Sequence, residues 1–366
     1  MAKKENYLNK RNLLIFISII LLTILIYWPS FTAPFFQDDI IFLTSPKISD
    51  FFTALPQGIY RPLSFQLFYS VGRMIFGLNP LGFHLILFFI SSLSLYLIFR
   101  LSQKIFNNDL KAHTVVFFYA FNVSLFANYY WIAVSYFVLG NFFIFLSLYL
   151  LWIKKSQILS TVSYIAALLS NEVLFVFPLL LILTFYYFRK WKKFFAVFLS
   201  LDIIYLILKT SVFGLPKSSS YTTSLFAFLP LVRWYLFRAL NLPEGIKRSS
   251  DYSIFILFIL FLILFAYGFF YYIKSRKINY RLFIFSLLWF FMAALPFFFL
   301  PNHMSSFYLT VSLFAVCLVF AEIFSVNPKI LISALIVYFL LTWRGLTFLS
   351  QTHWIILKNT GPIGTL

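Results

Sequence analysis

Apolar runs of roughly 16–22 residues recur along the chain, each long enough to cross a hydrocarbon core of ~30 Å as a helix. Short polar stretches rich in Lys, Arg, Asn and Pro separate them. The pattern predicts spans near 13–28, 83–99, 113–128, 134–152, 194–213, 253–273, 281–300, 307–325 and 329–348. One further run, 156–188, is too long for a single span, and its only polar break, Ser170-Asn171-Glu172, falls near its middle. Basic clusters flank it at both ends (Lys154-Lys155 and Arg189-Lys190-Trp191-Lys192-Lys193), so it must turn round, as a bent or partly re-entrant pair. About eleven spans result, an all-α polytopic membrane protein.

Two stretches interrupt the rhythm. Residues from about 32 to 80 are polar and broken by Pro34, Pro46, Pro56, Pro62 and Pro80, which predicts a long first external loop with short helices lying on the membrane. Within it, Tyr60–Phe76 is amphipathic. Residues from about 214 to 250 form a second external segment. Its 225–242 stretch carries Arg233 and Arg238 among aromatics and is read as an interfacial helix, because two arginines at mid-bilayer are costly.

Composition fits this picture. A chain of 366 residues that is 62% hydrophobic, with a mean hydropathy of +0.92, exceeds what a soluble domain can bury. The net charge of +19 is dispersed in short clusters between apolar runs, as orientation signals are, and is no nucleic-acid footprint. Lys3, Lys4, Lys10 and Arg11 place the N-terminus in the cytoplasm, and no small-residue cleavage site follows, so the first span is expected to be a retained anchor. Residues 1–366 then form one integral-membrane domain without a soluble one. Cys317, the sole cysteine, has no intrachain partner, and the 53 Phe and 23 Tyr are assigned to lipid-facing and interfacial surfaces.

The same topology puts Asp38, Asp39, Asp50, Glu172, Glu244 and Asp251 on the external side. Asp38 and Asp39, directly after the first span, suit a general base acting on an acceptor hydroxyl, or equally a solvated pair that ends the span. Arg61, in Tyr60-Arg61-Pro62-Leu63, suits a phosphate or a lipid head group. Glu172 is either a site acid or the partner of a cation that holds helices together. His303, beside Asn302 in an external turn, is placed to donate to a phosphate, or is an ordinary loop residue. His84 is read as a structural polar head of the second span, and Asp202 and Lys209, seven residues apart, as buried packing polars that pair within the membrane. The four histidines lie far apart, and no Gly-rich phosphate loop or nucleophile elbow occurs. No cofactor is implied, with a divalent metal left open, and an activated donor would have to arrive through the membrane.

The order of these motifs resembles the GT-C superfamily of membrane glycosyltransferases, especially its protein O-mannosyltransferase-like branch and the transmembrane module of the tetratricopeptide O-mannosyltransferases. Asp38-Asp39 occupies the acidic motif after the first span. Tyr60-Arg61-Pro62-Leu63 with Phe76-Gly77-Leu78-Asn79-Pro80 is similar to that family's first-loop exit. Trp131-Ile132-Ala133 is similar to its next hairpin, Leu169-Ser170-Asn171-Glu172 to a Ser-Lys-Glu motif, and Leu295-Pro296 through Asn302-His303 and Tyr308-Leu309 to its late external turn. Asn171 departs where a lysine is common, and Asn122, Leu125 and Ala127 stand where acids and histidine are common.

The resemblance implies inverting transfer of a hexose, mannose foremost, from a polyprenyl-phosphate-linked donor to a protein, lipid or glycan acceptor, at the outer face of a prokaryotic cell membrane. Asp38 and Asp39 would be catalytic, Arg61 and His303 would hold the donor phosphate, and Glu172, Tyr60 and Asn302 would support them. The alternatives are a transporter or flippase of lipid-linked sugar, or a non-catalytic scaffold of a glycan-assembly complex. The absence of an internal repeat and the gathering of acids on one side weigh against transport.

Overall fold

The computed structural model describes residues 10–44, 51–53, 59–188, 193–212, 214, 222–246, 251–275 and 278–357. Asp50, among the predicted external acids, lies outside these residues. The described chain is helical almost throughout, and seven of its helices are long and apolar enough to cross a membrane, or eight if one bent pair is a single span. A lipid bilayer is therefore its environment.

The first helix, α1 (Lys10–Tyr27), leads to the segment predicted as a loop, which folds into α2 (Asp38–Thr44), a π-helical turn (Leu63–Leu67) and α3 (Phe68–Phe76). Next come α4 (Pro80–Phe106), α5 (Asp109–Ala120), α6 (Ala127–Tyr130) and α7 (Ser135–Tyr149). Their limits follow from local chemistry. Asn79 caps α4 by accepting from the Leu81 N–H, with Pro80 at the first turn where no amide is needed. Asn107, at φ 49°, ends α4 in the left-handed region, and Asn108 accepts from the Lys111 N–H to start α5.

The span expected at 113–128 is not one straight helix. It bends by 55° between α5 and the 123–130 segment, and a buried polar network takes up the freed backbone groups. Asn122 accepts from the Ser124 N–H and donates to the Ala239 carbonyl and the Tyr338 hydroxyl. Asn241, itself at φ 76°, accepts from the Val123 N–H and donates to Thr342.

The run from 156 to 188 does turn. Helix α8 (Gln157–Ser170) stops at Asn171, whose side chain accepts from the Val173 N–H, and a 3-10 turn (Glu172–Val176) leads into α9 (Phe177–Phe188). Beyond it lie α10 (Lys193–Val212), α11 (Phe228–Ala239), α12 (Tyr252–Ser275), α13 (Tyr280–Ala294), α14 (Leu313–Phe324), α15 (Pro328–Thr352) and the short α16 (Trp354–Leu357). The expected spans lie on these helices, although several run past their predicted ends.

The phenylalanines require a correction. Many are not lipid-facing: Phe118 is fully buried, 4.8 Å from Tyr338 and within 5.6 Å of Phe320 and Phe324. Lipid is as apolar as a side chain, so ring-on-ring packing and hydrogen bonds, and not water exclusion, hold these helices together.

Candidate active site

At Pro34–Gln37 the chain leaves the first span in extended form, and Gln37 at φ 44° turns it into α2. Asp38 and Asp39 are the first two residues of that helix, where exposed amides and the helix dipole favour negative charge. The two carboxylates then part company. Asp39 is 1% exposed; its Oδ2 accepts from the Phe36 N–H at 2.9 Å and its Oδ1 from the Tyr69 hydroxyl at 2.8 Å. Asp38 is half-buried. Burial pushes Asp39 up to about 7, against the pull of the Phe36, Tyr69 and Ala133 donors. Burial also raises Asp38, and nearby Arg61 tempers that rise.

Tyr69 belongs to α3 and meets Phe42 of α2 ring to ring at 5.4 Å, while Phe42 also stacks 4.0 Å from Phe65 of the π-helical turn. Arg73 donates to the Leu43 carbonyl at 2.8 Å, fixing the end of α2. His84 bonds the Ala33 carbonyl at 3.0 Å, the structural role expected of it.

Arg61 enters from the same segment and meets Glu172 from the α8–α9 turn. Its Nε and Nη2 reach Oε2 and Oε1 at 2.5 and 3.0 Å, a two-pronged charge-assisted pair. The guanidinium also lies 4.0 Å from the Tyr136 ring centroid. Lys209 of α10 reaches Glu172 Oε1 at 3.4 Å, so one carboxylate serves two cations. Lys209 and Asp202 are both buried, as expected, but they do not pair with each other; Asp202 instead accepts from the Tyr164 hydroxyl. Three segments far apart in sequence are thus tied at one point.

His303 lies half-buried in the turn after Pro301, 5.6 Å from the Tyr308 ring. Burial first, and then Arg61, lower its proton affinity, which favours the neutral ring. Glu244 anchors this turn by accepting from the Ser306 N–H and, at 3.3 Å, from Ser305, and it meets His353 at 3.2 Å. Asn302 is exposed and donates to Thr222 at 2.9 Å, so it closes the outside of the turn instead of joining Arg61. Tyr60 is buried beside Arg61.

Several contributors were not foreseen. Tyr69, Tyr136 and Lys209 are among them, as is Trp354 of α16, which packs 5.7 Å from Phe36 and 5.2 Å from Trp131. Tyr69 and Tyr136 are two among 23 tyrosines, with no spacing that marks them. Lys209 did carry a signal, as an intramembrane charge that requires a partner.

Chemically, the assembly offers a half-buried carboxylate with a raised proton affinity, a second carboxylate fixed beside it, a guanidinium whose fork is occupied by Glu172, and a histidine whose neutral form that guanidinium favours. Among the described residues no three His, Cys, Asp or Glu side chains gather as a metal cluster. No protein-family model matches the chain, and neither a curated protein nor a solved structure matches it.

Proposed function

We propose that the chain is a GT-C-type glycosyltransferase that moves a hexose from a polyprenyl-phosphate-linked donor to an acceptor hydroxyl at the outer face of a prokaryotic cell membrane. The observation that carries this reading is the Arg61–Glu172 pair, which joins the first-loop segment to the α8–α9 turn, two segments that the resemblance assigns to one site. The pulls of Arg61 on Asp38 and His303 add the remaining residues to the same neighbourhood. Seven helices, or eight with the bent pair, are long and apolar enough to cross a membrane, and three shorter apolar helices lie where the other expected spans fall.

Asp38 takes the proton of the acceptor hydroxyl as its oxygen attacks the anomeric carbon. The bond from that carbon to the phosphate oxygen breaks, the configuration inverts, and polyprenyl phosphate leaves. Asp39, held by Tyr69 and Phe36, orients Asp38 and the acceptor. Arg61 and His303 meet the charge that grows on the leaving phosphate, where preorganised donors have their largest effect. Glu172, shared with Lys209, keeps the Arg61 fork in place until a phosphate competes for it.

Transfer from a panel of labelled polyprenyl-phosphate sugars, mannose first, in purified membranes tests the reading. Wild-type protein transfers label from one donor, and Asp38→Asn does not, while both insert equally. Label transfer by Asp38→Asn and Asp39→Asn at the wild-type rate contradicts it, as does accumulation of unreacted donor across the bilayer, which is the result a flippase gives.

A further inference from the structure

The interfacial helix α11 presents exposed Leu229, and Leu225 and Phe226 just before it are 80% and 97% exposed, as expected of a helix lying in the membrane surface. Its two arginines behave differently. Arg233 is exposed. Arg238 is only 7% exposed, lies 5.0 Å from the Trp234 ring, and donates through Nη1 to the carbonyls of Leu242 and Pro243. Its Nε–H is buried and has no acceptor among the described residues. A buried guanidinium donor left unmet is unfavourable, and folds avoid it unless something supplies the acceptor.

Arg238 and Arg233 both line a groove of about 460 Å³, whose remaining walls include Leu231, Trp234, Phe237 and Met304. Met304 follows His303 directly in the chain. The groove therefore combines an exposed cation, Arg233, with a second guanidinium, Arg238, in its wall and otherwise apolar sides.

We propose that this groove binds an anionic phospholipid of the bilayer, with its phosphodiester on Arg233 and the Arg238 guanidinium and its first acyl segment along Leu231, Phe237 and Met304. Two arginine donors match phosphate oxygens, which accept charge-assisted hydrogen bonds strongly. A soluble anion would leave the apolar walls uncovered, whereas a lipid covers both. The bound lipid braces Met304 and with it the turn that carries His303.

The test uses full-length protein in nanodiscs of phosphatidylcholine, with or without phosphatidylglycerol, read by native mass spectrometry and by the thermal midpoint. Wild-type protein retains one phosphatidylglycerol and melts higher in its presence. Arg233→Gln, an exposed change that leaves the Arg238 contacts intact, loses about tenfold in retention, the worth of one charge-assisted hydrogen bond, and loses the rise in midpoint. Arg238→Gln loses retention further, but its midpoint also drops in pure phosphatidylcholine because two backbone carbonyls lose their donor. Equal retention by wild type and Arg233→Gln overturns the proposal. So does polyprenyl phosphate displacing phosphatidylglycerol when the reverse exchange fails, which would assign the groove to the carrier lipid.

Discussion

Asp38 and Asp39, consecutive residues of one helix, have different surroundings because neighbouring side chains on a helix point about 100° apart. Asp39 points into the protein and is pinned by Tyr69 and the Phe36 amide, while Asp38 stays half-buried beside Arg61. Under the proposed function this difference favours Asp38 as the base and Asp39 as the orienting group, a choice that the sequence left open because neighbouring carboxylates look alike until the backbone turns. Asp38→Asn is predicted to lower the transfer rate by about 10²–10⁴-fold, the usual worth of a general base, with membrane insertion unchanged. A reduction below tenfold in a purified assay sinks that assignment.

Asp39 makes a separate prediction about pH. Its folded-state value of about 7 stands above the reference of 3.8, so the fold favours the protonated form. That stabilisation is complete below about pH 4, is lost as pH rises through about 7, and changes no further above it. The melting temperature of wild type minus that of Asp39→Asn should therefore fall between these limits and then level off. A flat difference across the range would mean that burial does not raise the proton affinity of Asp39.

At the level of elements, the central feature is the meeting of Arg61, Glu172 and Lys209. A lone acid in the middle of a 33-residue apolar run needed a reason, and flanking basic clusters at both ends required a turn there, so the position of Glu172 was legible. Its partners were less so. Asp202 was the nearest acid to Lys209 along one helix face, and only the packing of α10 against the α8–α9 turn redirects Lys209 to Glu172. Breaking a buried pair by removing one partner costs about 3–5 kcal/mol, because the other charge is stranded. Glu172→Gln should therefore destabilise on that scale, and the double variant Arg61→Met with Glu172→Met should destabilise less. A double-mutant cycle that gives simple additivity would show that the pair is not coupled.

Across the whole molecule, hydropathy and the basic clusters made most helices legible, although α4 runs on to Phe106 and α14 begins only at Leu313. They could not show the 55° bend at Asn122, because the network that supports it comes from Asn241, Tyr338 and Thr342, far along the chain. Nor could they bring Trp354 back to Phe36, since four residues of helix after a long span carry no signal of where they dock. Orientation is testable by labelling. Cys317 is buried, so Cys317→Ala supplies a background for single cysteines. Cysteines at Asn302 and Thr222 should react with a membrane-impermeant thiol reagent added outside cells, and cysteines at Asn107 and Lys329 should react only after permeabilisation. The opposite pattern would invert the topology and place the site in the cytoplasm.

The most direct measurement supplies purified wild-type protein in liposomes with labelled polyprenyl-phosphate-mannose and candidate acceptors, and follows release of polyprenyl phosphate over time beside Asp38→Asn. Release matched by mannose appearing on an acceptor with inverted configuration, and abolished in Asp38→Asn, is the predicted result. Equal release by wild type and Asp38→Asn, or retention of configuration in the product, would contradict the account.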